Sequence, residues 1–407
     1  MTDLATRVAA VPRSRPGRVA PALLGYAAVR VLGLVVLAVW SAARDKSAYT
    51  LLTARWDSLW YTRVAELGYG YEVRLANGDV HSNLAFFPLL PWLERLLHAV
   101  SPLSYADAGF VVSAVVSFAA AWGIFAVADH LYGARAGVCA VLLWAVLPVG
   151  IVQSMAYSES LFTALAAWSL YAVLTGRWVT AGALALLAGL TRPVGLAVVA
   201  AVWTAAVVSF VQERRELREL REFVRERHEC VRERREDTPV ARPWPRLAGM
   251  LLAPLGAAGY VLWVGHRTGA GPLGYLEVQA GWRNGFDGGY AFARFIAGQF
   301  TAFPSALAGV GLIVGVALLI LLYVVCVRQR QPLPLLVYAG LVTALALCAS
   351  SYFGSKPRLL LPAFPLLLPL ALALARLRTA RVAALVGAVA VASAVYGAFW
   401  LNGSGPP

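Results

Sequence analysis

Charged residues are scarce in this sequence. They make up 14% of 407 residues, where a soluble domain carries about a quarter. That scarcity excludes an ordinary water-exposed globular domain. Lysine occurs only as Lys46 and Lys356, so nearly all positive charge is arginine. Cysteine is rare too: Cys139, Cys326 and Cys348 lie in apolar runs and Cys230 in a charged stretch. Their spacing frames neither a disulfide scaffold nor a metal site. Neither an Asp-x-Asp nor a His-x-x-His pattern is present; Asp57, Glu72 and Asp79 could in principle hold a divalent cation, but no metal or other cofactor is expected. The chain has no internal repeat, which counts against a transporter built from inverted halves.

What is abundant is apolar sequence. Hydrophobic residues reach 60%, and the mean hydropathy is +0.68. Runs long enough to cross a bilayer recur along the chain, and in lipid such runs must be helices. The expected fold is therefore all-α, a polytopic membrane protein forming one domain over residues 1–407. Its spans are placed at 21–40, 109–129, 136–153, 158–174, 179–190, 193–211, 247–265, 303–327, 333–350, 359–375 and 382–400, about eleven crossings. A cleaved signal peptide is disfavoured, because the first apolar run is long and carries Arg30. Arg30 is expected to snorkel to the inner interface.

The net charge of +14 would point to nucleic acid in a soluble protein. In a membrane protein, arginine in short loops marks the cytoplasmic side instead, and no nucleic-acid partner is expected. Residues 1–20 then form a cytoplasmic tail. Residues 212–246, where acids and arginines alternate three and four apart, form a solvated cytoplasmic loop. Residues 41–108 and 266–302 fall outside, the first carrying interfacial helices and the catalytic groups. Thr191-Arg192-Pro193 interrupts an apolar run, since proline breaks a helix and frees backbone groups. This predicts a down-and-back helix pair with Arg192 at the bend.

The external side collects the ionisable groups. Asp57, Glu72, Asp79 and His81 lie in the first loop, between Arg55 and Trp92, and Glu159 opens a later span. Trp282, Arg283 and Asp287 come from the loop 266–302, and Lys356 and Arg358 from SYFGSKPRLLLP. Ionisable groups near a membrane core cost about 2.5–3.5 kcal/mol each on insertion scales and are functional candidates by default. Acids and cations drawn from separate segments to one interface suit a reaction on an anionic lipid.

Four stretches carry a resemblance to a known family. Arg55-Trp56-Asp57-Ser58, followed by Ala65-Glu66-Leu67-Gly68-Tyr69, is similar to the opening motif of the PIG-V family, the GPI mannosyltransferase II-like enzymes and their bacterial relatives. Asn83-Leu84-Ala85-Phe86-Phe87-Pro88 resembles its NFAFFP element, and Tyr157-Ser158-Glu159-Ser160-Leu161-Phe162 its YSESLF element. Leu190-Thr191-Arg192-Pro193-Val194-Gly195 is similar to its broken-helix segment. The C-terminal half matches only in hydropathy, apart from Lys356-Pro357-Arg358.

The resemblance implies a GT-C glycosyltransferase, most directly an inverting mannosyltransferase. Its donor would be a polyprenyl-phosphate sugar, and its acceptor a glycolipid or cell-envelope glycan. The setting would be a bacterial plasma membrane, with the N-terminus cytoplasmic and the active site facing out among membrane lipids. A lipid phosphate leaves without protonation, so one base suffices, and Asp57 is the candidate. Arg358, helped by Lys356 and Arg192, is the candidate phosphate clamp. Glu159, Glu72, His81, Tyr157, Trp56, Asn83 and Phe87 are the candidates for holding the acceptor or shaping the site.

Each assignment has a structural rival. Asp57 could cap a short interfacial helix, Arg192 could satisfy carbonyls freed by Pro193, and Arg358 could anchor in lipid headgroups. Glu159 could simply favour a helix start, and Glu72 and His81 could be loop hydrogen-bonders. Trp56, Trp60, Phe86, Phe87 and Trp92 suit an interfacial belt as well as a sugar or a prenyl chain. A flippase for a polyprenyl-linked sugar would use the same acids and cations without breaking a bond.

Overall fold

The computed structural model describes residues 16–226, 244–350 and 352–403. It is a helical assembly with two short two-stranded sheets on its loops. The first apolar run is α1 (Ala20–Ala42). The loop after it holds α2 (Ala48–Thr53), α3 (Asp57–Leu67), a hairpin of β1 (Glu72–Arg74) with β2 (Val80–Ser82), and the amphipathic α4 (Leu89–Ala99). Long α5 (Tyr105–Tyr132) starts where Ser104 Oγ accepts the Asp107 N–H at 3.1 Å. The bundle continues with α6 (Ala134–Ala145), α7 (Ser158–Leu174), α8 (Trp178–Gly189) and α9 (Leu196–Glu226). Then come α10 (Trp244–Leu252), α11 (Leu255–Thr268), α12 (Gly274–Gly281), β3 (Gly285–Phe286), α13 (Tyr290–Gln299) and α14 (Ser305–Arg328). The chain ends with α15 (Leu333–Cys348), β4 (Ala349–Ser350), α16 (Lys356–Leu359), α17 (Leu368–Ala375) and α18 (Thr379–Leu401).

Six of the described helical stretches are long and apolar enough to cross a membrane, and four shorter apolar helices accompany them. The lipid-like character is plainest in α14, whose Leu307, Ile313, Leu318 and Leu321 are all more than 45% exposed. A helix apolar all round and open on most sides needs an apolar solvent.

Three expected continuous spans are interrupted, each at a proline: the one placed at 247–265 only briefly, between α10 and α11 at Pro254, and two others more sharply. The span placed at 136–153 ends as α6 at Ala145, with Pro148 following and a 3₁₀ turn over Gly150–Ser154. Arg30 does not snorkel. It is buried, and its guanidinium donates to the carbonyls of Ala145 and Gly150 that the break leaves free. The span placed at 359–375 bends by 73° between Leu359 and Phe364, around Pro362. There the Trp144 indole donates to the Leu361 carbonyl at 3.0 Å and the Tyr338 hydroxyl to that of Pro362 at 3.0 Å. Buried backbone without water has to find such partners.

The break at Thr191-Arg192-Pro193 occurs where the sequence places it, with α8 and α9 packed back against each other. Small residues let α8 pack backbone to backbone with its neighbours. A Cβ on Gly182 would collide with the Gly249 carbonyl, and one on Gly256 with that of Leu186, the close approach typical of membrane helices. The charged stretch is the unbroken end of α9 up to Glu226, and Glu213 pairs with Arg246 at the start of α10 at 2.5 Å. The rest of the loop, with Cys230, and the N-terminal tail up to residue 15 lie outside the described residues.

Candidate active site

The site forms where four helix ends converge, and each end is shaped by local sequence. Asp57 is the first residue of α3. It follows Trp56, whose backbone has a φ of 55°, an unfavourable conformation for a bulky residue that costs about 1–3 kcal/mol. The turn is held from several sides. Ser58 Oγ donates to the Arg55 carbonyl at 2.6 Å, and the Arg55 guanidinium lies 4.1 Å from the Trp56 ring centre. The Asp57 N–H reaches the Tyr157 hydroxyl at 3.3 Å.

Arg358 comes from the bent segment at the other end of the chain. Its Nη1 donates to Asp57 Oδ2 at 2.6 Å, across 301 residues of sequence. Its guanidinium carbon lies 5.0 Å from the ring centre of Tyr157. Its Nε stands 3.3 Å from Glu159 Oε1 without the alignment of a hydrogen bond, and it is buried with no other acceptor. Glu159, in the first turn of α7, also pairs with Arg192 from the α8–α9 break. Two carboxylates and two guanidiniums thus form a charge-balanced chain in the order Asp57, Arg358, Glu159, Arg192. Exposure falls from 27% for the Asp57 side chain to 2% for Glu159 and is 14% for Arg192. Tyr61, on the next turn of α3, hydrogen-bonds Ser158 Oγ at 2.7 Å. Burial pushes its phenol above the ordinary range, so it stays a neutral hydroxyl.

The other candidates are placed as follows. Lys356 is buried and points away from the carboxylates. Its ammonium donates to the carbonyls of Ala346, Leu347 and Ala349 at 2.8, 3.3 and 2.8 Å, at the C-terminal end of α15. Asn83 is fully buried and ties the loop at Gly68 and Gly70, with both bonds at 3.0 Å. Phe87 packs into a core patch with Tyr260 and Tyr275. Glu72 is exposed on β1, paired only in the hairpin register opposite Ser82. His81 stacks on Trp282 at 4.0 Å. Partial burial holds its imidazole below the ordinary value, with Arg283 acting in the same direction and Asp79 opposing.

Beside the charged chain stands a half-buried aromatic group. Trp60 lies parallel to Phe86 at 5.6 Å, and Trp282 meets the two edge-on at 4.9 and 5.5 Å. Phe86 abuts Tyr61 at 5.2 Å, which links the group to Ser158 and Glu159. The loops 41–108 and 266–302 are clasped here. Arg283 pairs with Asp79 at 2.6 Å, and the Trp282 indole donates to the Ser82 carbonyl at 3.0 Å. Asp287 caps α13 through the N–H groups of Gly289 and Ala291, both at 2.9 Å. Among the described residues no three His, Cys, Asp or Glu side chains converge as a metal-ligand group.

Sequence reading missed Tyr61, Ser158 and Tyr260. The Tyr260 hydroxyl donates to the carbonyls of Leu84 and Phe86 at 2.9 and 2.8 Å, holding the loop from within the span of α11. A tyrosine in an apolar run carries no signal of which distant carbonyl it meets. Ser158 stood inside the YSESLF match and was legible there.

A family model described as Mannosyltransferase (PIG-V) matches residues 37–228. Over that segment, just under half of the chain, the sequence is similar to the PIG-V mannosyltransferases. The matched segment holds Asp57, Glu159 and Arg192, whereas Arg358 lies beyond it. No curated protein sequence matches.

Among solved structures, the chain is similar to ArnT from Cupriavidus metallidurans bound to undecaprenyl phosphate. The identity is 14%, the TM-score is 0.51, and the match covers 88% of this chain and 61% of that one. The apo state of the same ArnT aligns at 16% identity and a TM-score of 0.48, covering 86% and 59%. The Archaeoglobus fulgidus oligosaccharyltransferase aligns at 17% identity and a TM-score of 0.46, covering 93% and 53%. This chain spans about three-fifths of the length of ArnT. The likeness to ArnT shows the fold: this chain is a multi-pass helical membrane protein folded like that ArnT.

Proposed function

We propose that this protein is an inverting glycosyltransferase, a mannosyltransferase in the first instance. It moves the sugar from a polyprenyl-phosphate donor to a lipid-linked or cell-envelope acceptor on the outer face of a bacterial plasma membrane. The observation that carries the reading is the contact of Asp57 with Arg358 at 2.6 Å. A carboxylate and a guanidinium from opposite ends of the chain meet at the family's motifs, where a base and an anion ligand are both needed. The undecaprenyl phosphate bound to the ArnT of similar fold supports the choice of donor.

The chemistry divides between the two groups. The acceptor hydroxyl oxygen attacks the anomeric carbon from the face opposite the phosphate, and its proton passes to the Asp57 carboxylate. The bond from that carbon to the phosphate oxygen breaks, and the lipid phosphate keeps the electron pair and gains one negative charge. Arg358 stabilises that charge as it grows, because a preorganised donor in a water-poor site costs no reorganisation. A good leaving group removes the need for the second acid that glycosidases use. Arg192 and Glu159 hold Arg358 from behind. Lys356 secures the end of α15 and so sets the segment that carries Arg358. Trp60, Phe86 and Trp282, ringed by Asp79, His81 and Arg283, offer an acceptor sugar flat apolar faces with polar edges. No step calls for a metal.

The test is transfer by the purified protein in lipid, using radiolabelled polyprenyl-phosphate mannose and an envelope-lipid extract. Wild type should transfer label and Asp57→Asn should not. Transfer surviving in the variant would remove Asp57 from the mechanism. If the wild type moves the lipid between leaflets without transferring its sugar, the glycosyltransferase reading falls and a flippase replaces it.

A further inference from the structure

The proposed base and the proposed phosphate ligand are bonded to each other, and that arrangement cannot persist during the reaction. Arg358 Nη1 is engaged by Asp57 Oδ2 at 2.6 Å, a charge-assisted bond of the stronger kind. The Asp57 oxygen held in this way is already occupied by a donor and is not free to meet an acceptor hydroxyl. An arriving phosphate would meet a guanidinium already in use and a carboxylate that repels it. The four-residue chain is balanced, with two acids and two arginines, so it carries no spare positive charge to recruit an anion.

The same geometry shows which partner can leave. Arg358 Nε is a buried donor without a hydrogen bond, 3.3 Å from Glu159 Oε1 but not aligned with it. Such a group is costly when left unmet, and a phosphate oxygen would complete it. Glu159 is 2% exposed and also bound to Arg192, so it has no freedom to move away. Asp57 is the member with room to leave. Its side chain is 27% exposed, and it sits at the very start of α3 after the unfavourable turn at Trp56.

We infer that Asp57 is an internal stand-in for the donor phosphate: it occupies Arg358 at rest, and donor binding displaces it and thereby frees it to act as the base. The inference rests on the polyprenyl-phosphate reading above. Glu159 is the positioning residue, holding the guanidinium in place while its outer end exchanges carboxylate for phosphate. The cycle then closes by itself. Asp57 takes the acceptor's proton and is neutral while the lipid phosphate carries its largest charge. Once Asp57, which is 27% exposed, gives that proton to solvent water, it competes for Arg358 again and drives the spent lipid out. Because linkage is reciprocal, whatever the phosphate does to the Asp57–Arg358 bond, that bond does to phosphate affinity.

This yields a result that a simple view of Asp57 as base or anchor does not. Undecaprenyl phosphate, which carries no sugar, is titrated into the full-length protein in detergent, and its dissociation constant is read from tryptophan fluorescence. Removing the base should tighten binding: Asp57→Asn and Asp57→Ala should each bind roughly tenfold tighter than wild type, within the 5- to 150-fold range usual for coupled sites. Asp57→Glu, which keeps the charge, should bind no tighter than wild type. Arg358→Gln should bind weakly, and Asp57→Asn with Arg358→Gln no better than Arg358→Gln alone.

Unfolding midpoints without lipid establish that each variant is folded before its affinity is compared. Wild-type binding that neither Asp57→Asn nor Asp57→Ala improves would overturn the exchange while leaving the donor reading standing. A gain that persists in the double variant would also overturn it, by showing a general charge effect in place of release of Arg358. Absence of binding in every variant would overturn the donor reading and the exchange together.

Discussion

Lys356 and Arg358 both lie buried in the four-residue α16, yet their partners differ in kind. Lys356 donates to three backbone carbonyls at the end of α15, and Arg358 to the side chain of Asp57. Arg30 belongs with Lys356, because its guanidinium caps the carbonyls of Ala145 and Gly150 at a proline break. A carbonyl is fixed by its helix and cannot change charge or swing away. A carboxylate can do both. A buried cation among carbonyls therefore stabilises the fold, whereas one among carboxylates can be handed to a substrate.

Variants at these positions can break or sharpen that contrast. The largest effect is expected for Asp57→Asn, whose transfer rate should fall about 10²–10⁴-fold, the usual contribution of a general base. It should do so with the unfolding midpoint little changed, as measured by single-turnover transfer alongside thermal unfolding. Arg358→Gln should lower kcat/KM by about 10²–10³-fold, as for loss of one donor to a developing anion. If Arg358 were only an interfacial anchor, kcat/KM of the folded fraction would not move.

Arg30→Met should show the opposite profile. It leaves two buried carbonyls unmet, at roughly 1–3 kcal/mol each, so the midpoint drops while donor KM of the folded fraction stays constant. A changed KM would remove Arg30 from the structural class. Trp282→Ala should raise acceptor KM several-fold, an order of magnitude at most for one lost stacking contact, with donor affinity unaffected.

The smallest effect concerns Glu94, which is fully buried against Gly109 with both carboxyl oxygens unbonded. Burial pushes its carboxyl well above the ordinary value. Stability from the neutral acid is present below the unfolded-state value and is lost as pH rises toward the raised one. Glu94→Gln should therefore be more stable than wild type at neutral pH, and the gain should shrink as the solution is acidified. A gain independent of pH would mean that ionisation of Glu94 is not its cause.

Much of this molecule is legible in the chain itself. The membrane class follows from composition, since an apolar run in lipid has only the helix to satisfy its backbone. The interruption at Arg192 follows from Pro193, and Asp57, Glu159 and Arg192 stand inside motifs that mark their segment. The breaks after Ala145 and Leu359 were also signalled, by Pro148 and Pro362, but apolar runs on both sides masked them as single spans. Arg30 looked like a snorkelling residue because the carbonyls it serves are more than a hundred positions away.

The sequence by itself determined the solvent of this protein, its helices and the kinds of group available for chemistry. Those are consequences of local pattern and of residue identity. The tertiary structure alone decided which cation meets which anion. It sent Lys356 to the end of α15 and Arg358 to Asp57, although the two lie side by side in one motif. The reason is physical: a long cationic side chain in an apolar interior goes to whatever acceptor the packing leaves within reach. That acceptor is set by helices whose sequences are far away along the chain.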